Sequence, residues 1–272
     1  MEKRELNSWV EFKGVVDEIR KTYGYYDRNN VVLFRGQPDL PLKTTLERKS
    51  TKEFTLGYYL ALAGMTVNEV ESITGTKWDI PDHPELMDEI KIKNKQSWHR
   101  VYLPQVCYSY LVYLRHHGYP SPFLDWTTSP YIAAYFALCD ASKDENVAVY
   151  IYINLVGNVK SLENPLITLF GHYVSTHKRH FAQKAMYTIA SKWSEDSLSH
   201  TFCSHHEIFD QPRKNYNSAQ DLLIKITIPT KDRNIALKEL DNDYNINHFT
   251  LFQTEDSLIK ALGIKKFDIE GI

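Results

Sequence analysis

The sequence lacks most of the motifs that identify a known chemistry. Its 272 residues include only three cysteines, and no two of them have the CxxC spacing of zinc or redox motifs. No Walker A loop, Gly-rich dinucleotide motif, GxSxG nucleophile elbow or HExxH zinc motif occurs. The common nucleotide-binding, hydrolase and metalloprotease motifs therefore do not explain this protein.

A strong charge excess and long apolar segments are also missing. The 32 Lys and Arg residues against 34 Asp and Glu residues give a formal net charge of −2, which does not favour non-specific binding to nucleic acid. No run of 18 apolar residues is present, and the first residues lack the apolar centre of a signal peptide. We therefore expect a cytoplasmic protein that does not bind membranes.

The residues that are present predict an α+β fold. Hydrophobic residues make up 43% of the chain, which is enough for a sizeable core. Apolar spacings of three and four predict a helix over 6–23, and most of 47–70 and 85–116 also has helical patterns. Strands are predicted at 31–36, 146–154, 184–190 and 222–229. We expect one domain over 1–272, with a helical N-terminal part packed on a mixed β core at about 31–229 and a helical extension at 230–272.

The segment LRHHGYPSPFLDWTTSPYIAAYFALCD has the densest polar and aromatic pattern. Ser129 followed by proline is typical of a helix start. Asp125, Thr127 and Ser129 alternate, so an extended segment would turn all three toward one face. Helix capping explains Ser129 or Thr128 but not the Asp-Trp pair before them. A carboxylate and hydroxyls on one face could hold a ribose or orient an arginine.

Two further positions suggest a binding site. Arg35 is predicted at the end of a buried strand, where its guanidinium must be paired and is suited to phosphate or carboxylate. A structural salt bridge is the alternative. Gln183, four residues after Arg179, precedes a predicted strand and could donate a hydrogen bond to a substrate.

The HHE sequence at 205–207 is not predicted to bind metal. Adjacent histidines do not share one helix face, and no third ligand is placed by spacing. These side chains are expected to lie on the solvated surface, and no metal site is predicted elsewhere.

Three stretches together resemble the FRG domain family, which is named for a Phe-Arg-Gly motif. They are LFRGQPD at 33–39, HHGYPSPFLDWTTSPYIAAYFA at 116–137 and RHFAQKAMYTI at 179–189. The family usually shows Gln-His-x-Gly-x-Pro-Thr-Arg-Leu-Leu-Asp-Trp-Thr in the middle stretch, and the chain matches it at His116, Gly118, Pro120, Leu124, Asp125, Trp126 and Thr127. It departs from it at Arg115, Ser121, Pro122 and Phe123. Pro122 replaces an arginine.

The order of these stretches is also similar to that of arginine-serine-glutamate ADP-ribosyltransferases. Those enzymes carry an Arg-Gly strand, a Ser-Thr-Ser segment before a helix, and a Glu/Gln-x-Glu segment before a later strand. The resemblance implies that NAD binds here, with cofactor contacts from Arg35, Gly36, His116, Thr127 and Ser129 and catalytic roles for Arg35, His116 and Gln183. Asp125 and Trp126 are expected to be mainly architectural. The chain departs from the pattern at Ala185, which occupies the position of the catalytic glutamate.

This resemblance leads to a functional expectation with two alternatives. The first is an NAD-dependent ADP-ribosyltransferase acting as a toxin or anti-phage effector on a macromolecule, with RNA slightly preferred to protein or DNA. An antitoxin or chaperone is the expected partner. The alternatives are a non-catalytic nucleotide-binding or partner-docking module, which Ala185 favours, and an NAD glycohydrolase.

Overall fold

The computed structural model describes residues 1–24, 30–96, 100–142, 146–155, 165–171, 174, 178–210 and 221–271. Its strands are β1 (Glu2–Glu5), β2 (Asn30–Pro38), β3 (Leu124–Thr127), β4 (Asn146–Leu155), β5 (Leu166–Phe170), β6 (Ala185–Ser194), β7 (Ser199–Phe202) and β8 (Asp221–Pro229). Its helices are α1 (Trp9–Ile19), α2 (Thr45–Lys49), α3 (Leu56–Gly64), α4 (Val67–Thr74), α5 (His83–Gln96), α6 (Gln105–His116), α7 (Pro130–Leu138), α8 (Lys178–Ala182), α9 (His205–Asp210), α10 (Arg233–Tyr244), α11 (His248–Phe252) and α12 (Glu255–Gly263).

The strands form one open mixed sheet in the order β1-β8-β4-β2-β3-β6-β5, with β7 on β6. Only β1 and β8 pair in parallel among the described strands, and the other pairs are antiparallel. The prediction of a fold that mixes helices with a mixed sheet is confirmed at this level.

Strand β4 lies in the interior of the sheet, between β8 and β2, and its sequence is apolar on both faces. Val147, Val149, Ile151 and Ile153 are buried on one face, while Ala148, Tyr150 and Tyr152 are buried on the other. A strand covered on both faces reads as a continuous apolar run rather than a strict alternation. This explains why VAVYIYI is so clear a strand in the sequence.

Two separate helical layers cover the first face of the sheet. Helices α1, α7 and α10 pack over β8, β4 and β2. Helices α3, α5 and α6 pack over β6 instead. The second face is covered in part by α9, whose Ile208 and Phe209 pack against the cluster containing Trp126 and Tyr152.

Several sequence predictions are confirmed. Ser8 caps α1, and a π-helical turn over Arg20–Gly24 completes the predicted helix. Ser129 caps α7, with Pro130 at its first position. The predicted strands correspond to β2, β4, β6 and β8. Among the described residues, no helix is long and apolar enough to cross a membrane.

Other features differ from the predictions. Strands β1, β3, β5 and β7 were not among the predicted strands, although an extended conformation was considered for the segment containing β3. Strand β2 continues to Pro38, so Arg35 lies inside the strand rather than at its end. The C-terminal helices are more than an extension, because Leu237, Leu240 and Leu251 are buried in the core with α7.

Candidate functional site

The candidate site begins where β2, β3 and β6 meet. Strand β2 pairs with β3 through a single register pair, Phe34 with Thr127. Strand β3 pairs with β6 through four register pairs, the last of which is Thr127 with Ala185. Phe34, Thr127 and Ala185 therefore lie in one row across three strands. The structure brings together the three stretches that the sequence singled out.

Arg35 lies at the point where the β2–β3 ladder stops. Its Nη1 donates to the main-chain oxygen of Asp125 at 2.8 Å, and its Nε donates to Oε1 of Gln37 at 3.1 Å. The guanidinium thus satisfies a strand carbonyl that no neighbouring strand reaches. Burial lowers the pKa of Arg35 to about 10, against the opposing effect of the Asp125 carboxylate. Arg35 therefore carries its charge at neutral pH inside the fold.

Asp125 is shared by two arginines. Arg115 on α6 donates from Nε and Nη2 to the two carboxylate oxygens, and Nη1 of Arg35 lies 3.8 Å from Oδ2. Burial by itself raises the pKa of Asp125, but Arg115, Arg35 and His116 together bring it below its usual value. The side chains of Arg115 and Arg35 are only 9% and 14% exposed, whereas that of Asp125 is 39% exposed. The cluster has an excess positive charge and opens to solvent beside the carboxylate.

His116 lies at the end of α6, next to this cluster. Its Nε2 is 2.9 Å from the hydroxyl of Tyr187, and Nδ1 of buried His180 is 3.2 Å from the same hydroxyl. Burial raises the pKa of Tyr187, so the phenol stays neutral. Tyr187 therefore connects two imidazoles, and His116 is the half-buried one.

The three hydroxyl residues Thr127, Thr128 and Ser129 have different surroundings. Thr127 is buried, and its Oγ1 accepts a hydrogen bond from the amide of Ser129. Ser129 Oγ accepts from the amide of Ile132 and so caps α7. Thr128 is the exposed member of the segment. Trp126 is buried, and its indole donates to Thr188 at 2.8 Å.

Gln183 joins the site to the C-terminal helices. It follows α8, and its Nε2 donates to the carbonyl of Leu251 at 3.2 Å. The guanidinium of Arg179 lies 5.2 Å from the ring centre of Phe252 on the same helix, α11. Thr128 donates its amide to the carbonyl of Lys184, which keeps this segment beside the start of α7. Gln183 is thus near the row of three strands, and its amide nitrogen has a structural partner.

Gly36 allows α7 to lie directly on β2. A Cβ atom at this position would lie 1.6 Å from the carbonyl oxygen of Ala133 and 2.8 Å from the amide nitrogen of Ala137. Helix packing therefore accounts for the glycine of the Phe-Arg-Gly motif, whether or not it also contacts a ligand.

The sequence did not reveal several members of the site. Arg115 appeared only as a departure from the family pattern, and Tyr187 as an apolar strand position. His205 was expected on the solvated surface, but this is wrong: it is the first residue of α9 and is 1% exposed. The sequence signal was its position in a short amphipathic helix, HHEIFD, whose apolar residues face the sheet.

Other features of the described part of the chain lie elsewhere. A groove of about 540 Å³ runs between α3, α5 and β7, lined by Tyr58, His83 and Met87 among others. It contains none of the predicted site residues. Within the described ranges, no group of three or more His, Cys, Asp or Glu side chains could hold a metal ion.

Comparison with known protein families adds one finding. Residues 30–146 match the FRG domain. No curated protein and no solved structure matches the chain. The FRG match includes Arg35, Gly36, His116, Thr127 and Ser129 and stops before β6. The match therefore covers Arg35 and Arg115, which bind Asp125, and it includes strands β2 and β3. Gln183 lies outside it.

Proposed function

We propose that the protein is an NAD-dependent ADP-ribosyltransferase acting as a cytoplasmic toxin or anti-phage effector on a macromolecule, with RNA preferred to protein or DNA. The observation that carries the proposal is the row formed by Phe34, Thr127 and Ala185. The row brings the arginine, hydroxyl and glutamine segments together on or next to three adjacent strands. The order of these segments along the chain is the feature that suggested the resemblance.

The charges of the site fit a dinucleotide. Two buried guanidiniums share one carboxylate, so an anion entering beside Asp125 would meet excess positive charge. Guanidinium groups bind phosphate oxygens in a two-pronged geometry that ammonium groups cannot reproduce. Arg35 would therefore contact the pyrophosphate, while Arg115, whose Nε and Nη2 are held by Asp125, adds positive charge beside it. The exposed hydroxyl of Thr128 could hold a ribose.

In this proposal NAD would supply the glycosidic bond between nicotinamide and ribose. Nicotinamide would leave as the acceptor forms a covalent bond to the same ribose carbon. Gln183 positions the acceptor with its amide oxygen, since its amide nitrogen is held by Leu251. His116 takes the proton of the acceptor, because an imidazole titrates near neutral pH. Tyr187 holds the ring of His116 in place.

A non-catalytic nucleotide-binding module is the second candidate. It is favoured by Ala185, which is buried in the row where the resemblance places a glutamate. The carboxylate of Asp125 is held by Arg115 and is not available as a simple replacement. Such a module would bind NAD without releasing nicotinamide.

The decisive measurement is nicotinamide release by the purified chain, with adenylate-labelled NAD followed in parallel into RNA, DNA and protein. If the protein is a transferase, nicotinamide release should depend on an acceptor, and the label should appear in RNA. Release without an acceptor would identify a glycohydrolase. Binding of NAD by calorimetry without release would identify the non-catalytic module, and absence of both would refute the proposal.

Two variants test the assigned residues. Gln183→Ala is expected to lose on the order of 100-fold in rate, as for the loss of one oriented transition-state contact. If the bond to Leu251 is its only role, the variant will instead unfold at lower temperature and keep its activity. Arg35→Lys should abolish NAD binding, whereas Arg4→Lys, a matched change on β1 at the far edge of the sheet, should not affect it.

A further inference from the structure

Helix α2 is joined to the charged cluster by the side chain of Thr45. Its Oγ1 accepts a hydrogen bond from Nη1 of Arg115 at 2.8 Å. The other two nitrogens of that guanidinium, Nε and Nη2, are held by Asp125. The same Oγ1 also accepts from the amide of Ser121 at 2.9 Å. These bonds hold the first residue of α2 against the buried arginine.

Arg48 lies one helical turn after Thr45. Its amide donates to the carbonyl of Thr44, and residues three apart are neighbours on one side of a helix. The side chain of Arg48 therefore starts from the side of α2 that contacts the cluster. Burial is the main cause of the lowered pKa of Arg35, and the charges of Arg115 and Arg48 lower it further. Because charge interactions weaken with distance, this effect agrees with a position of Arg48 near Arg35.

Arg48 differs from the other two arginines because it is exposed and has no partner. Within the described ranges its guanidinium forms no hydrogen bond or ion pair. The carboxylate of its neighbour Glu47 belongs to the capping box of α2. The side chains of Arg115 and Arg35 are 9% and 14% exposed, and that of Asp125 is 39% exposed. The guanidiniums thus extend from the core to solvent beside one carboxylate.

This arrangement favours a ligand with two anionic groups at different depths. Three guanidinium charges and one carboxylate charge leave a net charge of +2, which disfavours a cation. A single phosphate beside Arg35 would leave Arg48 unpaired, whereas a second phosphate nearer to solvent could accept hydrogen bonds from it. Guanidinium groups suit such oxygens because they donate in pairs.

We propose that Arg48 is a specificity-determining residue that binds the outer phosphate of a pyrophosphate group. The inner phosphate contacts Arg35, and for that contact the assignment rests on the proposed function. Thr45 is a positioning residue in this arrangement, because its bond to Arg115 holds α2 beside the cluster. Arg48 would therefore distinguish a pyrophosphate ligand from a monophosphate.

The test is calorimetric titration of the full chain with inorganic pyrophosphate and, separately, with orthophosphate. Arg48→Ala should lower the affinity for pyrophosphate roughly 10- to 100-fold, as for a lost hydrogen bond between charged groups. Its affinity for orthophosphate should change less than about threefold, because an exposed charge that does not contact the ion is screened by solvent. Arg48→Lys should recover only part of the loss, since an ammonium cannot donate in the same two-pronged geometry.

Lys49→Ala is the matched control. It removes an exposed positive charge from the next position of the same helix, rotated by about 100° around the axis. We expect this variant to keep its preference for pyrophosphate. Both changes are on the surface, so equal melting temperatures will show that the two variants are folded.

Equal losses in Arg48→Ala and Lys49→Ala would mean that α2 supplies only general positive charge, and this would overturn the assignment. Unchanged pyrophosphate affinity in Arg48→Ala would overturn it as well, as would the absence of pyrophosphate binding to the original chain. A preference for pyrophosphate that depends on Arg48, in a chain that neither binds NAD nor releases nicotinamide, would refute the proposed function and keep the role of Arg48.

Discussion

The sheet differs strongly on the two sides of the β2–β3 junction. On one side, β4 pairs with β2 and with β8 over nine residues each, and both faces of β4 are apolar. On the other side, β3 has four residues and reaches β2 through one pair. Here the side chains are two largely buried arginines and a partly exposed aspartate. The long ladders hold the fold together, and the interrupted ladder leaves room for charged side chains.

The continuous and the interrupted ladders differ in how their main-chain groups are satisfied. A continuous ladder satisfies its own main-chain groups, so its side chains can all be apolar. Where the ladder stops, the carbonyl of Asp125 needs another donor, and Arg35 provides it. A site that binds anions can form at little extra cost where a buried guanidinium is already required.

The largest effect should come from Gly36→Ala, which would disturb both halves through α7. The new methyl group would overlap the main chain of Ala133, which cannot move without shifting the helix. We expect a loss of stability greater than the roughly 1–3 kcal/mol typical of overpacking. The measurement is the free energy of unfolding in urea.

Gly14→Ala is the matched control, because nothing lies within 4 Å of a Cβ at this position in α1. This change should stabilise the protein by about 0.5–1 kcal/mol, since alanine is the better helix former. A Gly36→Ala variant as stable as the original would show that α7 does not depend on this contact.

The second effect concerns the charged half alone. Asp125→Asn leaves the guanidiniums of Arg115 and Arg35 buried without a counter-charge. Because the carboxylate is 39% exposed, we expect a loss of about 3 kcal/mol, the lower end for breaking a buried pair. Asp88→Asn, which removes an exposed ion pair with Lys91, should cost well under 1 kcal/mol in the same urea assay. Similar losses in both variants would contradict the distinction.

A third effect should depend on pH. The pKa of His205 is lowered by burial to about 3 in the folded protein, against about 6.5 in the unfolded chain. Below pH 6.5 the unfolded state therefore binds the additional proton, and stability falls with pH by about 1.4 kcal/mol per unit. Between pH 6.5 and pH 5 the loss should reach about 2 kcal/mol.

His205→Gln removes this titration, so its stability should fall by about 2 kcal/mol less over the same range. Urea unfolding of both proteins at pH 7, 6 and 5 gives the two slopes. Parallel slopes would mean that His205 is not neutral in the folded state.

The smallest effect should come from the cap of α7. Ser129→Ala removes the side chain that accepts from Ile132 and should cost about 1 kcal/mol. Ser129→Asp keeps a good capping oxygen but adds negative charge near the proposed anion site. If Ser129 only caps the helix, NAD affinity will be unchanged in both variants. If it also faces the ligand, Ser129→Asp will bind NAD more weakly than Ser129→Ala.

The sequence predicted the regular elements better than the site. Strand β4 and the start of α7 were clear, because continuous apolar residues and a Ser-Pro pair depend only on local chemistry. Strand β1 was missed, since EKRE is a charged edge strand that is defined only by its partner β8. Edge strands are often charged, which removes the apolar signal.

Contacts between distant residues were the hardest to predict. The sequence identified Arg35 and Asp125 as separate features but not their bond, because 90 positions separate them. The burial of His205 depends on the packing of α9 against Tyr152 and Trp126, and the short HHEIFD pattern does not show which elements cover it. A histidine pair looks the same in sequence whether or not a sheet covers it.

The pairing of β1 with β8 has a consequence for synthesis. The first strand of the chain is bound to a strand that ends at Pro229, and the central strand β4 also pairs with β8. At about 5–20 residues per second, translation leaves β1 without its partner β8 for roughly 10–40 s. A ribosome-bound chain that ends before Asp221 therefore lacks one neighbour of β4. Such nascent chains should be open to proteases, because one edge of β4 stays unpaired until β8 has been made.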